Sequence, residues 1–374
     1  MNKKELELYI HIPFCVRKCS YCDFLSAPAT EQTREAYMAA LFAEIGGRAK
    51  DYSDRTVTSI FIGGGTPSLL SGEQIGQLMD RIREQFAMAQ DAEITMEVNP
   101  GTANAEKLRN FYTAGINRLS IGMQSAQAEE LKNLGRIHDF EGFCQVYREA
   151  VEAGFTNINV DIMSGLPGQT LASYRDTLEK VLHLEPMPQH ISAYSLIVEE
   201  GTPFAAMAER GELPLPEEET ERAMYEETIE VLSKYGFHRY EISNYARDGY
   251  ECRHNVGYWI RRDYLGFGIG AASLIDNVRF QNEKSLGAYL AHPLESREEE
   301  QTLTVQDRME ETMFLGLRLT RGVSCVDFAE QYGRTVEEVY GEVIARNVAD
   351  GLLTVTERKE NQKKDRLLAL TKRG

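Results

Sequence analysis

The densest chemistry in the chain lies between His11 and Phe24. There Cys15, Cys19 and Cys22 place three of the six cysteines within eight residues, in a C-x3-C-x2-C spacing. Thiolates this close can share one metal centre. Four protein ligands close a structural zinc site, whereas three leave a position open for catalysis. An iron–sulfur cubane normally takes four cysteines, so three would leave one iron free for a substrate or second cofactor. Cys144, Cys252 and Cys325 lie far off in sequence and offer no obvious fourth ligand. A zinc knot usually brings a second Cys or His pair. A buried zinc, or three unrelated thiols, is the alternative reading.

A second candidate is Gly63-Gly64-Gly65-Thr66-Pro67. Consecutive glycines let a backbone approach a ligand closely and present free N–H groups. The run lacks the lysine of a phosphate-binding loop and the spacing of a dinucleotide fingerprint, so a plain tight turn is the competing reading. Glu97, Gln124, Arg136 and Asp161 are the remaining polar candidates. A lone acidic residue at a strand end is more often a cap or turn residue.

The elements that must position these residues read as alternating strands and helices. Glu5 to Phe14 alternates as a strand and Pro13 ends it, so the cysteine loop leaves a strand's carboxyl end. Val57 to Ile62, Glu93 to Val98, Arg118 to Met123, Asn157 to Met163 and His190 to Val198 follow as strands. Between them Ser71 opens a helix with apolar residues at Ile75, Leu78, Met79 and Ile82, and helices run from Ala105 to Ala114, Phe140 to Ala153 and Leu171 to Leu184. Six such units predict a parallel α/β sheet curled into a partial (β/α)6 TIM-like barrel over residues 1–212. The cysteine loop, Gly63–Gly65, Glu97, Gln124, Asp161 and Tyr194-Ser195 then fall at or near the carboxyl ends of strands, the face that carries active sites in barrels. Pro214-Leu215-Pro216 and the acidic run after it mark a boundary. An accessory α+β segment is expected over 213–300. A helical, winged-helix-like domain with a small β ribbon is expected over 301–374.

Composition excludes several function classes. The 374 residues carry 41 basic and 58 acidic side chains, a formal charge of −17, which argues against a general nucleic-acid surface. Apolar content of 42% and charged content of 26% suit a globular protein. Clustered thiols suit a reducing, cytoplasmic compartment. Glu5 and Glu7 interrupt the start of the chain, so no signal peptide is expected. No apolar run approaches the roughly 18 residues of a membrane span.

The cysteine loop after Tyr9-Ile10-His11-Ile12-Pro13-Phe14, with Tyr21 inside it, resembles that of the radical S-adenosylmethionine (SAM) superfamily. That resemblance implies a [4Fe-4S] cluster on Cys15, Cys19 and Cys22, with SAM on the fourth iron. The blocks around Glu97, Gln124 and Asp161 resemble one branch, which holds the oxygen-independent coproporphyrinogen III oxidases and the HemW-type heme chaperones. It implies SAM contacts at Tyr9, Gly64, Gly65, Glu97, Gln124, Arg136 and Asp161. Carboxylates suit ribose hydroxyls or an ammonium, and Arg136 suits a carboxylate.

Within the branch, Phe24 stands where the decarboxylating enzymes carry a further cysteine, and the first strand begins almost at once where they carry an extension. Arg253-His254-Asn255-Val256-Gly257-Tyr258-Trp259 is similar to the H-N-x-x-Y-W motif of the heme chaperones and holds the single tryptophan. It implies that His254 ligates heme iron, with Asn255, Tyr258 and Trp259 around the porphyrin. A satisfied core histidine is the alternative for His254. The expected partners are heme, acceptor hemoproteins such as respiratory enzymes, and an electron donor, with peripheral membrane contact and a homodimer as further possibilities. Coproporphyrinogen III oxidase is the rival function, and a zinc-stabilised interaction protein a weaker one.

Overall fold

The computed structural model describes residues 3–295, 297–360 and 363–374. Six parallel strands stand side by side in chain order: β1 (Lys4–Ile12), β2 (Arg55–Gly64), β3 (Ala87–Val98), β4 (Arg118–Gln124), β5 (Ile158–Ser164) and β6 (His190–Ser195). Side chains alternate across a strand, and here the alternation sorts them by chemistry. One set, including Leu8, Ile10, Ile60, Ile62, Met96, Ile121 and Val160, is fully buried and belongs to one apolar cluster with the crossover helices. Each aliphatic side chain buried this way contributes about 1.5–3 kcal/mol. The alternate set is polar or aromatic and faces the barrel interior. Pairing places Glu7 beside Ser59 and Ser59 beside Glu93, then Tyr9, Phe61, Thr95 and Arg118 in the next row, and Glu97, Ser120, Asn159 and His190 above them.

The helices start where their caps dictate. Ser71 and Gln74 exchange side chain–backbone bonds in a capping box ahead of helix Gly72–Gln85, and Thr170 with Ser173 does the same for Leu171–Leu182. The long first interval is filled by helix Glu31–Arg48, which the spacing did not suggest. The sixth strand is shorter than expected and stops at Ser195.

The accessory segment is not a separate body. Its strands extend the barrel sheet at both edges. β7 (His238–Arg239) and β8 (Asn244–Ala246) join antiparallel beyond β6. β9 (Tyr264–Phe267) pairs parallel to β1, and β10 (Ala272–Ile275), β11 (Val278–Asn282) and β12 (Arg297–Thr302) continue antiparallel to it. One twelve-stranded sheet therefore crosses the boundary expected at 212/213. Between the two sets of added strands, helix Arg253–Trp259 packs into the amino-terminal end of the barrel.

The last domain has its own small core of Met309, Phe328, Val336, Leu353 and Leu368. Helices Val305–Gly316, Cys325–Tyr332 and Val336–Ala349 pack on β13 (Val323–Ser324), β14 (Leu353–Glu360) and β15 (Lys363–Leu370), in the order β13-β15-β14. This is the helical domain with a β ribbon that the pattern suggests. Among the described residues, no helix is long and apolar enough to cross a membrane.

Candidate functional site

The cysteine loop leaves β1 at the carboxyl end of the barrel and is tied down on both sides. Cys15 N–H donates to Ala27 O at 3.1 Å and Ala27 N–H to Pro13 O at 3.0 Å, closing the base of the loop. Its far side is held by Ser20 N–H to Leu134 O and by Phe204 N–H to Ser20 O, both 3.0 Å. Cys15, Cys19 and Cys22 are free, half-buried thiols. Among the described residues no three His, Cys, Asp or Glu side chains gather as ligands of a single ion would. A cubane distributes its thiolates over separate irons, so this donor set of three cysteines on one restrained loop suits a cluster.

Beside the loop lies a cavity of about 290 Å³. Its walls include Cys15, Cys19, Cys22, Gly64, Gly65, Glu97, Gln124, Arg136 and Asp161, nine of the residues expected at the site. The glycines are required by space. A β-carbon at Gly65 would stand 2.7 Å from the carbonyl oxygen of Phe14, and Gly64 has φ +113° with the His11 ring against it. Gly64 N–H donates to Glu97 Oε2 at 3.0 Å. Gln124 sits at φ 70°, where the pairing of β4 with β5 slips, and its Oε1 accepts from Tyr194 OH at 2.9 Å. Arg136 donates to Gly122 O at 2.7 Å and reaches Cys19 Sγ at 3.8 Å, while its Nε has no partner among the described residues. Asp161 accepts from Asn159 Nδ2 at 2.7 Å and from Ser120 Oγ at 3.1 Å.

Burial, with the nearby Asp161 charge second, pushes the Glu97 carboxyl up to about 8. Burial also raises Asp161, against hydrogen bonds from Asn159 and Ser120 that favour the ionised form. Two carboxyls held reluctant to ionise suit a cationic ligand, whose charge would draw both back to carboxylate. SAM is such a ligand, and the residues present fit it: carboxylates for its cationic and hydroxyl groups, a guanidinium for its carboxylate, glycines for close approach. Thr66, Ser120 and Tyr194 also line the cavity. Ser120 was discoverable from the polar–apolar alternation of its strand. Thr66 had no such signal beyond its place in the glycine run.

Tyr9 does not line this cavity. Its OH donates to His11 Nδ1 at 3.0 Å, and His11 Nε2–H in turn donates to Leu25 O at 2.9 Å. Tyr9 therefore braces the strand and the end of the cysteine loop from below. Its ring stacks on Phe61, whose other neighbour is His254, with centroids 6.4 and 5.3 Å apart.

His254, Asn255, Tyr258 and Trp259 lie at the other end of the barrel. The expected open imidazole is not what the fold presents. His254 is 1% exposed; its Nδ1 is 2.9 Å from Ser59 Oγ and its Nε2 is 3.1 Å from Tyr258 OH. Burial, reinforced by Arg118 and Arg262, lowers its pKa to about 3, so the ring is neutral. Tyr258 meets the His254 ring edge-on and does not lie free to cover a macrocycle. Trp259 carries the Arg318 guanidinium over its face at 4.2 Å. In this conformation the helix seals the barrel floor and both imidazole nitrogens are engaged. The physical reason is the row of polar groups on β2 and β3, of which the helix engages Ser59 and Glu93. Cys252, just before the motif, is also buried, its thiol pushed up to about 12 by that burial.

Known proteins fit this geometry. The radical SAM superfamily description matches residues 9–181, and the HemN C-terminal domain description matches residues 303–359. The chain is 39% identical to the heme chaperone HemW of Bacillus subtilis, over 92% of both chains. It is 37% identical to the heme chaperone HemW of Escherichia coli, over 93% of this chain and 92% of that one. Among solved structures, coproporphyrinogen III oxidase (HemN) from Escherichia coli, a radical SAM enzyme, superposes with a TM-score of 0.83 at 28% identity, covering 98% of this chain and 87% of that one. With a cysteine loop and cradle at the mouth of a partial barrel, and with relatives this similar along nearly their whole length, the chain belongs to the HemW family of the radical SAM superfamily.

Proposed function

We propose that this protein binds heme and transfers it to acceptor hemoproteins. In this reading it carries a [4Fe-4S] cluster on Cys15, Cys19 and Cys22 and binds SAM in the adjoining cavity. The observation that carries the reading is similarity to heme chaperones across 92% of both chains, with Phe24 rather than a cysteine on the cavity wall. When bound, the cluster would supply an electron to SAM. The chain's own part is to hold and orient: Glu97 and Asp161 for cationic and hydroxyl groups, Arg136 for a carboxylate, and the Gly64–Gly65 backbone for close approach. A cytoplasmic location, an electron donor for the cluster, peripheral membrane contact and a homodimer belong to the same reading.

His254 can reach heme iron only if helix Arg253–Trp259 withdraws from the barrel floor, giving up the bond to Ser59, or if the Tyr258 hydroxyl on the same helix turns away from Nε2. The reading therefore couples ligation by His254 to a rearrangement at this end of the barrel. His11 and His138 are the competing imidazoles. His11 has both nitrogens engaged, and His138 is drawn to about 4 by burial and Arg136.

The test is anaerobic reconstitution followed by parallel assays of heme binding, heme transfer to an apo-hemoprotein, and coproporphyrinogen III decarboxylation. Heme should bind and transfer, with little or no decarboxylation. Multiple-turnover formation of protoporphyrinogen IX would overturn the proposal in favour of the oxidase. Cys15→Ala, Cys19→Ala and Cys22→Ala should each lose the four-iron cluster, whereas Cys144→Ala and Cys325→Ala should keep it. His254→Ala should change the Soret band of bound heme and leave the iron content alone.

A further inference from the structure

We propose that Thr66 sets the reduction potential of the cluster through a hydrogen bond to the sulfur of Cys15. The inference rests on the assignment of Cys15 as a cluster ligand. Thr66 Oγ1–H donates to Cys15 Sγ at 3.4 Å, and Thr66 is 5% exposed. The residue stands at the N-cap position of the short 3-10 turn Pro67–Leu69, where threonine normally turns its hydroxyl onto a backbone N–H. Here it makes no such cap bond. Pro67 has no N–H to offer, and Leu69 N–H is already taken by the Thr66 carbonyl oxygen at 3.0 Å. The hydroxyl proton is directed to the sulfur.

Backbone contacts make this placement rigid. Gly65 N–H donates to Ile12 O at 2.8 Å, and only a glycine fits against the Phe14 backbone there. The glycine run and the start of the cysteine loop are in direct contact, so the Thr66 hydroxyl cannot drift from Cys15. Among the described residues, Arg136 is the other side chain that donates to a loop sulfur, at 3.8 Å to Cys19. Arg136 is also assigned to SAM, whereas Thr66, though on the cavity wall, carries no assigned SAM contact.

Reduction of a cluster adds negative charge, part of which falls on its sulfurs. A donor to a ligand sulfur stabilises the reduced state more than the oxidised one and raises the potential. Thr66 is in this sense a positioning residue.

The experiment is an EPR-monitored reductive titration of anaerobically reconstituted protein, after iron and sulfide are measured. Thr66→Val should keep the cluster but shift its midpoint to more negative potential. Thr66→Ser, which retains the hydroxyl, should titrate with the parent. Equal midpoints for Thr66→Val and the parent overturn the proposal, as does a Thr66→Ser shift as large as that of Thr66→Val. If Thr66→Val assembles no cluster, Thr66→Ala is titrated and judged in the same way. Electron–nuclear double resonance of the reduced cluster in D2O supplies a second readout. The parent should show one more exchangeable proton coupling than the variant without the hydroxyl, and identical spectra overturn the proposal. Retention of the cluster by Cys15→Ala would instead remove the ligand assignment itself, a failure that iron content distinguishes.

Discussion

Glu93 caps the helix that carries His254. Glu93 Oε2 accepts the Arg253 N–H at 3.1 Å and Oε1 accepts the His254 N–H at 3.2 Å. The Cys252 thiol leans on the same Oε1 at 3.5 Å. A strand of the barrel thus terminates the helix that closes it. Glu93→Ala would leave the buried His254 N–H and the part-buried Arg253 N–H without their acceptor, and an unsatisfied buried donor costs about 1–3 kcal/mol. A loss of about 2–4 kcal/mol is expected in urea unfolding, and Glu93→Gln, which keeps one oxygen, should lose less. Equal stability of Glu93→Ala and the parent would show that the cap is not holding the helix.

Gly257 lets the same helix lie directly on β1, because a β-carbon there would collide with the Glu7 carboxylate. Gly257→Ala should therefore destabilise by about 1–3 kcal/mol despite the better helix propensity of alanine. Gly76, inside helix Gly72–Gln85, has open space where a β-carbon would go. Gly76→Ala should stabilise by roughly 0.5–1 kcal/mol. Thermal melts of the two variants should move in opposite directions.

Two groups on the barrel floor give stability a pH dependence with opposite signs. His254 is lowered to about 3 in the fold, chiefly by burial, while an unfolded imidazole titrates near 6.5. The unfolded chain then binds a proton that the fold refuses. Its contribution is complete above about 6.5 and is lost as pH falls toward 3, by about 1.4 kcal/mol per unit. Glu7 is raised to about 8 by burial, which outweighs its ion pair with Arg262 at 3.2 Å. The fold holds that proton, so the Glu7 contribution is lost as pH rises from the ordinary carboxyl range through 8. The two slopes oppose each other below pH 6.5, so urea midpoints across pH 5 to 9 should fall mainly between pH 6.5 and 8; Glu7→Gln should remove that fall, and His254→Gln should extend it toward pH 5.

Glu97 should make SAM binding pH-dependent. Its carboxyl is protonated below about 8, and a cationic ligand favours the ionised form, so binding releases a proton. Affinity measured by calorimetry should weaken as pH falls from 8 to 6.5. Glu97→Gln should bind about tenfold to a hundredfold more weakly at pH 8, with a flatter pH profile. An unchanged slope in Glu97→Gln would place the titrating group elsewhere.

The barrel strands were legible because their outward positions are aliphatic at every second residue. The same alternation marks Ser59, Glu93, Ser120 and Asn159 as interior, which a reading focused on strand ends passed over. The sequence reads as strand-like from His238 to Ile242, of which β7 holds only His238–Arg239, whereas β8 to β10 were not recoverable in this way. Runs of three or four residues such as Asn244–Ala246 carry too little pattern to separate from loop. The mouth of the site was legible because its residues sit at successive strand ends, and parallel strands bring those ends together. The floor was not. The residues around His254 look like a ligand set in sequence, and only the placement of β1–β3 against them shows that Glu93, Ser59 and Glu7 surround the motif helix. Tyr9 is a related case: its ring is near the site in sequence but lies one row below the cavity.

The two edge strands of the long sheet differ from its middle. β12 reads Arg-Glu-Glu-Glu-Gln-Thr, with all six residues exposed, and Glu299 sits at φ 53° near a slip in its pairing with β11. At the other edge β7 offers two residues. A charged, bulged strand and a stub are both poor templates for an incoming strand. Another polypeptide cannot readily lengthen this sheet. A hemoprotein receiving cargo, or a second copy of the chain, would have to engage loops, helices or the terminal domain, and the sheet would pass through that encounter with its strand order unchanged.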